Sequence, residues 1–243
     1  MTEIIAHRGG AILWPENSMS AFRNVIAAGV DAVECDVHLS ADGEPMVMHD
    51  ATLERTSNGQ GPLAARSADD LAGLKLVSAG GEGVPRLSDL LGLVAQGRTG
   101  LQVEVKANAQ GRPDPRLLAR VLTELDRFGL RARTEIIVFE AEIAAAAVQA
   151  GGLRNVAWLF APAMIRHLGL DGVVAIARRT GASMVETHES AMSKDVLAAL
   201  RGAGLRVGAW GANREPAIAR MLDLRLDAVA TDDPVLALWL RRR

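Results

Sequence analysis

Short, almost uniformly apolar runs alternate along the chain with longer stretches in which apolar positions recur every three or four residues. Continuous apolar runs of four to eight residues are the pattern of strands covered on both faces, and the three-to-four period is that of amphipathic helices. The runs predict strands at Glu3 to Ala6, Ala32 to Val37, Gly100 to Val105, Glu135 to Val138, Asn155 to Leu159, Ser183 to Glu186, Arg206 to Ala209 and Ala228 to Ala230. Between and after them, helices are predicted at Ser18 to Ala28, Leu87 to Ala95, Arg116 to Phe128, Glu142 to Ala150, Val173 to Thr180, Lys194 to Ala203, Glu215 to Leu222 and Val235 to Leu240. Ser88 and Ser193 stand where N-caps belong, and Pro216 and Pro234 suit first turns. Eight strand-helix units close a (β/α)8 barrel, the TIM-barrel architecture, more naturally than they fill an open doubly wound sheet.

One stretch breaks the rhythm. Ser40 to Val84 carries a second short apolar run, Pro45 to Met48, and then a polar passage with Asn58-Gly59 and Gly80-Gly81. It reads as an insertion after the second strand, opened by a hairpin that turns at Asp42-Gly43. The expected organisation is a single barrel domain over residues 1–243 with an insertion at about 40–84, placed over the face where barrel enzymes keep their active sites.

With 243 residues, 49% of them hydrophobic, the chain can bury the core of one barrel. Its 27 basic and 29 acidic side chains leave a net charge of −2, so no positive field exists to gather nucleic acid or anionic lipid, and a small-molecule partner is expected. A homodimer is compatible with that composition. Cys35 is the only cysteine, which excludes a disulfide within the chain. No basic segment followed by an apolar stretch precedes Ile4 to Gly10, which sets the expectation of a cytoplasmic protein. The longest uncharged runs, Ile143 to Leu153 and Asn155 to Ile165, are about half of the roughly 20 residues that a bilayer crossing needs, so no membrane span is predicted.

The polar residues that interrupt the strands gather at strand ends. His7 and Arg8 close the first; Glu34, Asp36 and His38 alternate along the second; His49 and Asp50 follow the hairpin; Glu104 and Lys106 close the third. Alternation puts Glu34 and Asp36 on one side of their strand, and Glu104 and Lys106 on one side of theirs, so both pairs can point into the barrel mouth. Three converging carboxylates repel one another, and a divalent cation removes that cost. Oxygen ligands without a thiolate suggest Mg²⁺ or Ca²⁺ first, with Mn²⁺ also fitting. His7 and His49 offer a general base and a general acid that titrate near neutrality. Arg8 and Lys106 supply cationic clamps for phosphate oxygens. Metal, proton carriers and clamps together specify phosphoryl transfer.

The segments Ile5-Ala6-His7-Arg8-Gly9-Gly10, Pro15-Glu16-Asn17-Ser18, Val33 to Val37 followed by Asp42-Gly43, His49-Asp50 with Leu53 and Arg55, and Glu104-Val105-Lys106 resemble, in order and spacing, the motifs of the glycerophosphodiester phosphodiesterase family. The likeness continues at Trp210 with Asn213 and at Asp227 to Pro234, and so covers nearly the whole chain. The resemblance implies a TIM barrel that hydrolyses glycerophosphodiesters to sn-glycerol 3-phosphate and an alcohol. It makes His7 and His49 the acid/base pair, Glu34, Asp36 and Glu104 the metal ligands, and Arg8 and Lys106 phosphate contacts. Gly211, Val138 and Arg225 stand where the family more often has Thr, Ser and Gly. The first two bear on the far side of the substrate pocket, hence on the leaving alcohol.

Plainer readings compete at several positions. Trp210 serves either as an aromatic wall for the glycerol backbone or as a plug in the barrel top. His38, on the face of Glu34 and Asp36 but beyond the predicted strand end, is as well explained by scaffolding as by chemistry. His167 reads as surface, His188 as loop, Cys35 as an inert filler, and Asn17 as a cap or a partner to a ligand. Two other functions share these motifs: a lysophospholipase D or sphingomyelinase D-like diesterase, for which Leu71, Leu74 and Leu76 would have to form an apolar groove, and a barrel that binds a phosphorylated metabolite without turning it over.

Overall fold

The uniformly apolar runs become the staves of a closed parallel barrel in the computed structural model, which describes residues 1–243. In chain order the strands are β1 (Glu3–Ala6), β2 (Ala32–Leu39), β3 (Pro45–Val47), β4 (Gly100–Val105), β5 (Thr134–Val138), β6 (Asn155–Phe160), β7 (Met184–His188), β8 (Arg206–Trp210) and β9 (Ala228–Thr231). β1 pairs in parallel with both β2 and β9, which closes the eight-stranded barrel, and β3 lies antiparallel on β2 outside it. The hairpin between β2 and β3 turns at Asp42-Gly43, where Gly43 adopts a positive φ of 82°.

The helices are α1 (Met19–Ala28), α2 (Ala68–Gly73), α3 (Leu87–Val94), α4 (Pro115–Arg127), α5 (Ala141–Ala150), α6 (Pro162–Thr180), α7 (Lys194–Gly202), α8 (Glu215–Asp223) and α9 (Pro234–Arg241). Ser193 caps α7 by accepting from the Val196 N–H, and Pro234 opens α9. Ser88 is not a cap. α3 begins at Leu87 as predicted, and its cap is Arg86, two residues before Ser88, because the Asp89 carboxylate accepts the backbone N–H of Arg86 at 3.0 Å and fixes the helix start there. The helix expected from Val173 begins at Pro162, and Gly169, at φ 67° and ψ 173°, breaks it into two segments. None of the helices is long and apolar enough to cross a membrane.

The main core lies between the barrel wall and the helices, while a smaller cluster that includes Ile5, Ala157, Leu159, Met184, Ala228 and Ala230 fills the barrel interior. The insertion has its own core of nine buried residues, among them Met46, Leu53, Leu63, Leu71 and Leu76. This corrects one expectation: Leu71 and Leu76 are buried and Leu74 packs against them, so these leucines hold the insertion together and form no groove. β2 also runs two residues beyond its predicted end, which places His38 inside the strand.

Register decides what faces the barrel mouth. β2 and β4 align Glu34 with Gln102 and Asp36 with Glu104, and β4 and β5 align Gln102 with Glu135. Because alternate residues of a strand share a face, the inward rows are Glu34, Asp36 and His38 on β2 and Gln102, Glu104 and Lys106 at the end of β4.

Candidate active site

Glu34, Asp36 and Glu104 come together at the C-terminal ends of β2 and β4, with one oxygen of each within 4.8 Å of the others, and all three are buried. Burial, followed by the charge of Asp36, raises Glu34 to about 8 and Glu104 to about 7. Burial works on Asp36 as well, but Lys106 Nζ and Arg8 Nε, each 3.4 Å away, outweigh it and hold that carboxyl below the usual carboxylate range. Glu34 Oε1 and Asp36 Oδ1 are buried without a hydrogen-bond donor. Crowded carboxylates with orphaned oxygens and no soft ligand fit a hard divalent cation.

The two histidines flank this cluster and are tethered alike. His7 sits in a single turn of 3₁₀ helix (His7–Gly9) that follows β1, and its Nδ1 donates to Asp232 Oδ1 at 2.6 Å. Asp232 Oδ2 in turn accepts from Asn213 Nδ2 at 2.5 Å. His49 follows β3, and its Nδ1 donates to Asp50 Oδ1 at 2.6 Å; Arg55 Nε donates to Asp50 Oδ2 at 2.5 Å. Since a carboxylate only accepts, both histidines carry their proton on Nδ1 when neutral, which leaves Nε2 for the cavity that both rings line. Their environments then diverge. Burial disfavours charge on His7, yet the Asp232 hydrogen bond and Glu34 overcome it and raise its pKa. Burial also lowers His49, with Lys106 and Arg8 adding to that effect and Asp36 only partly opposing it.

Arg8 is held by its backbone as well as its side chain. It adopts a φ of 51°, its N–H donates to Glu34 Oε2 at 2.8 Å, and its guanidinium reaches Glu16 at 3.2 Å. A left-handed arginine beside a buried carboxylate cluster is backbone strain that its contacts with Glu34 and Glu16 hold in place. Glu16 also receives both terminal nitrogens of Arg55, so one carboxylate couples the Arg8 clamp to the tether of His49. Lys106 Nζ donates to Glu104 Oε1 at 2.8 Å. Asn17, at φ 54°, donates from Nδ2 to Asp36 Oδ2 at 2.9 Å, and Ser18 rather than Asn17 caps α1.

His38 is placed as scaffold by geometry. Its Nε2 donates to the His49 carbonyl at 3.0 Å, pinning the loop that carries His49, and burial keeps the ring neutral. His167 is exposed on α6. Cys35 is fully buried, where burial and the nearby carboxylates push its thiol up, so it is inert.

These groups line a cavity of about 140 Å³ whose opposite wall carries Ile137, Phe139, Leu159 and Trp210. Trp210 is half-buried and lines the cavity, with Phe139 edge-on at 6.5 Å and His188 edge-on at 4.7 Å. His188 ends β7 instead of lying in a loop, and Gly211 makes room for it: a Cβ at Gly211 would fall 2.6 Å from His188 Nε2. Here the departure from threonine at position 211 has a structural consequence, a histidine brace behind the tryptophan.

Sequence reasoning brought His7, His49, Arg8, Lys106, Glu34, Asp36, Glu104 and Trp210 to one cavity, and the structure places all eight on its wall or, for Asp36, directly behind it. It missed Asp232, the Glu16–Arg55 bridge and the interior residues Gln102 and Glu186. Asp50 and Asp232 each sit in a motif segment already singled out; an acid next in sequence to His49 was the available signal for Asp50, whereas nothing in the sequence sets Asp232 beside His7.

The model of the glycerophosphoryl diester phosphodiesterase family matches residues 7–236. A glycerophosphodiester phosphodiesterase of Caldanaerobacter subterraneus is 26% identical over 250 residues, which cover 100% of this chain and 98% of that one. A crystal structure from Agrobacterium tumefaciens assigned to the same enzymes superposes with a TM-score of 0.96 at 27% identity, over 100% of this chain and 98% of that one. A phosphodiesterase of Oleispira antarctica, solved with its product sn-glycerol 3-phosphate, shares the fold at a TM-score of 0.85 and 23% identity, over 100% of this chain and 98% of that one.

Proposed function

Because the chain belongs to the glycerophosphoryl diester phosphodiesterase family, we propose that it hydrolyses glycerophosphodiesters to sn-glycerol 3-phosphate and an alcohol within a single barrel domain. The observation that carries this reading is the pair of tethered imidazoles with divergent titration on either side of one carboxylate cluster. Groups whose environments push their pKa values apart divide acid from base. His49, kept neutral, takes on Nε2 the proton of the attacking hydroxyl, that of water or of the substrate's own glycerol; that oxygen bonds to phosphorus as the bond to the leaving alcohol breaks; and His7, kept charged, gives its Nε2 proton to that alcohol's oxygen. On the glycerol route, water then opens the cyclic phosphate with the two histidines in exchanged roles. Arg8 and Lys106 hold the phosphate oxygens, and Trp210 walls the cavity on the side where the rest of the substrate must lie.

Glu34, Asp36 and Glu104 would hold a divalent cation, Mg²⁺ or Ca²⁺ before Mn²⁺, which supplies charge stabilisation for the phosphoryl oxygens. The long-chain alternatives lose their support with the leucines of the insertion, which are consumed in its own core. The test is direct: purified protein, glycerophosphocholine and added divalent metal, scored for sn-glycerol 3-phosphate. Release that is abolished in His7→Ala and His49→Ala supports the reading, whereas no release with any of the three metals defeats it.

A further inference from the structure

Beneath the carboxylate cluster the apolar filling of the barrel interior is interrupted by polar side chains, where layers of apolar residues would ordinarily continue. Gln102 Nε2 donates to Glu186 Oε1 at 2.8 Å and to Glu135 Oε1 at 2.7 Å, using both of its protons. Asn155 Nδ2 holds the other Glu135 oxygen at 2.6 Å. Glu135 is therefore satisfied on both oxygens. Glu186 is not: it is 1% exposed, lines the catalytic cavity, and its Oε2 has no partner in the protein. Beside it, Gln102, also 1% exposed and on the cavity wall, keeps its Oε1 without a donor.

The space that Glu186 occupies is made by Gly208, the residue aligned with it on β8. A Cβ at Gly208 would stand 2.9 Å from Glu186 Cγ and 3.0 Å from its Cδ, so the carboxyl folds over a position that has no side chain. Buried polar groups without partners are rare because each costs free energy, and a cavity wall that sets a buried amide oxygen without a donor beside a carboxyl oxygen that no protein group bonds is matched to a hydroxyl-bearing ligand.

Resting on the function proposed above, we propose that Glu186, oriented by Gln102 over Gly208, is the positioning residue for the hydroxyl groups of the polyol that stays on the phosphate. Depth decides which half of the substrate lies there. Glu186 and Gln102 share the cavity wall with Glu34, Glu104 and Lys106 and are each 1% exposed, whereas Phe139 on the opposite wall is exposed. The leaving alcohol must extend toward the open mouth, past Trp210 and the exposed Phe139. Burial raises Glu186 to about 8, so near pH 7 it meets an anionic substrate largely as a neutral carboxyl.

The test compares ligands on the intact protein by calorimetry at pH 7: sn-glycerol 3-phosphate against n-propyl phosphate, which has the same chain and no free hydroxyls. Wild type is expected to prefer the glycerol ester by about 10-fold to 100-fold, the penalty for leaving buried polar groups unpaired. Glu186→Leu should erase most of that preference, and Glu186→Gln, the closest mimic of a neutral carboxyl, should restore it. Equal affinity of wild type for the two esters overturns the subsite without any variant, so a variant that fails to fold does not shield it. A preference that persists in a folded Glu186→Leu overturns it too. If wild type shows the preference yet releases no product from glycerophosphocholine with metal, the subsite stands and the hydrolytic reading falls.

Discussion

His7 and Asp232 are 225 positions apart, yet the pairing of β1 with β9 brings His7 Nδ1 to 2.6 Å from Asp232 Oδ1. That contact raises the pKa of His7 against the effect of burial, and it fixes which ring nitrogen faces the cavity. If His7 is the acid and His49 the base, rate plotted against pH is bell-shaped. The acid limb falls below 6.5, where lowered His49 protonates, and the alkaline limb lies above 6.5, where raised His7 loses its proton. Asp232→Asn should shift only the alkaline limb to lower pH and reduce kcat on the order of 10²-fold. A pH-rate series on both proteins decides this; an unmoved alkaline limb separates His7 from the acid role.

The raised carboxylates predict how stability depends on pH and metal. Glu34 and Glu104 titrate in the folded protein at about 8 and about 7, above the ordinary carboxylate value of 4.5, so between these limits the folded state binds more protons than the unfolded one. Stability must then fall as pH rises. His49, held low, acts in the opposite sense only below 6.5, so the informative window is pH 6.5 to 8. In excess chelator the melting temperature should decline across that window. Saturating Mg²⁺ should raise it, and by more at pH 8 than at pH 6.5, because cation and protons compete for the same oxygens. A chelated protein that gains stability from 6.5 to 8 contradicts the account.

Glu104 is bonded to Lys106, and its carboxylate could be suspected of doing no more than neutralising that lysine. Lys106, however, has a second carboxylate, Asp36, at 3.4 Å. Glu104→Gln keeps an oxygen for Lys106 and removes one of three crowded negative charges, so the metal-free variant should melt within about 1 kcal/mol of wild type. Its affinity for Mg²⁺ or Ca²⁺ should drop about 10-fold or more with the loss of ligand charge. Parallel melts and metal titrations check both halves. A loss of several kcal/mol without metal, at unchanged metal affinity, would make Glu104 a structural ion-pair partner.

The barrel was legible because its staves are apolar on both faces, a pattern that survives without any knowledge of neighbours. Polar residues at strand ends stood out against that background, which is how His7, Glu34, Asp36, Glu104 and Lys106 could be picked. What stayed hidden depends on contacts between distant elements. Asp232 acquires its role only when β9 closes on β1, and the Gln102, Glu135 and Glu186 network needs three strands in register. The six-residue α2 is held by a satellite core that no local period announces. The brace of Trp210 by His188 was equally hidden, because it depends on the room that Gly211 leaves across two strands.

Arg225 shows how a departure noted in sequence becomes a measurable energy. It follows α8 by two residues and takes φ 55°, the left-handed conformation in which glycine ends helices, while its N–H donates to the Leu222 carbonyl at 2.8 Å. An L side chain there costs roughly 1 to 2 kcal/mol relative to ordinary helix geometry. The side chain is exposed, and the contact the residue makes with Arg201 runs through its backbone carbonyl, which glycine would keep. Arg225→Gly should therefore stabilise the protein. Part of the gain is offset by the larger entropy of glycine in the unfolded chain, leaving about 0.5 to 1 kcal/mol. Arg225→Ala, which keeps a Cβ at the same φ, should gain little, so the pair separates backbone strain from any effect of charge. Chemical denaturation of the three proteins provides the measurement: equal stabilisation by Gly and Ala would assign the effect to the arginine side chain and remove the strain argument.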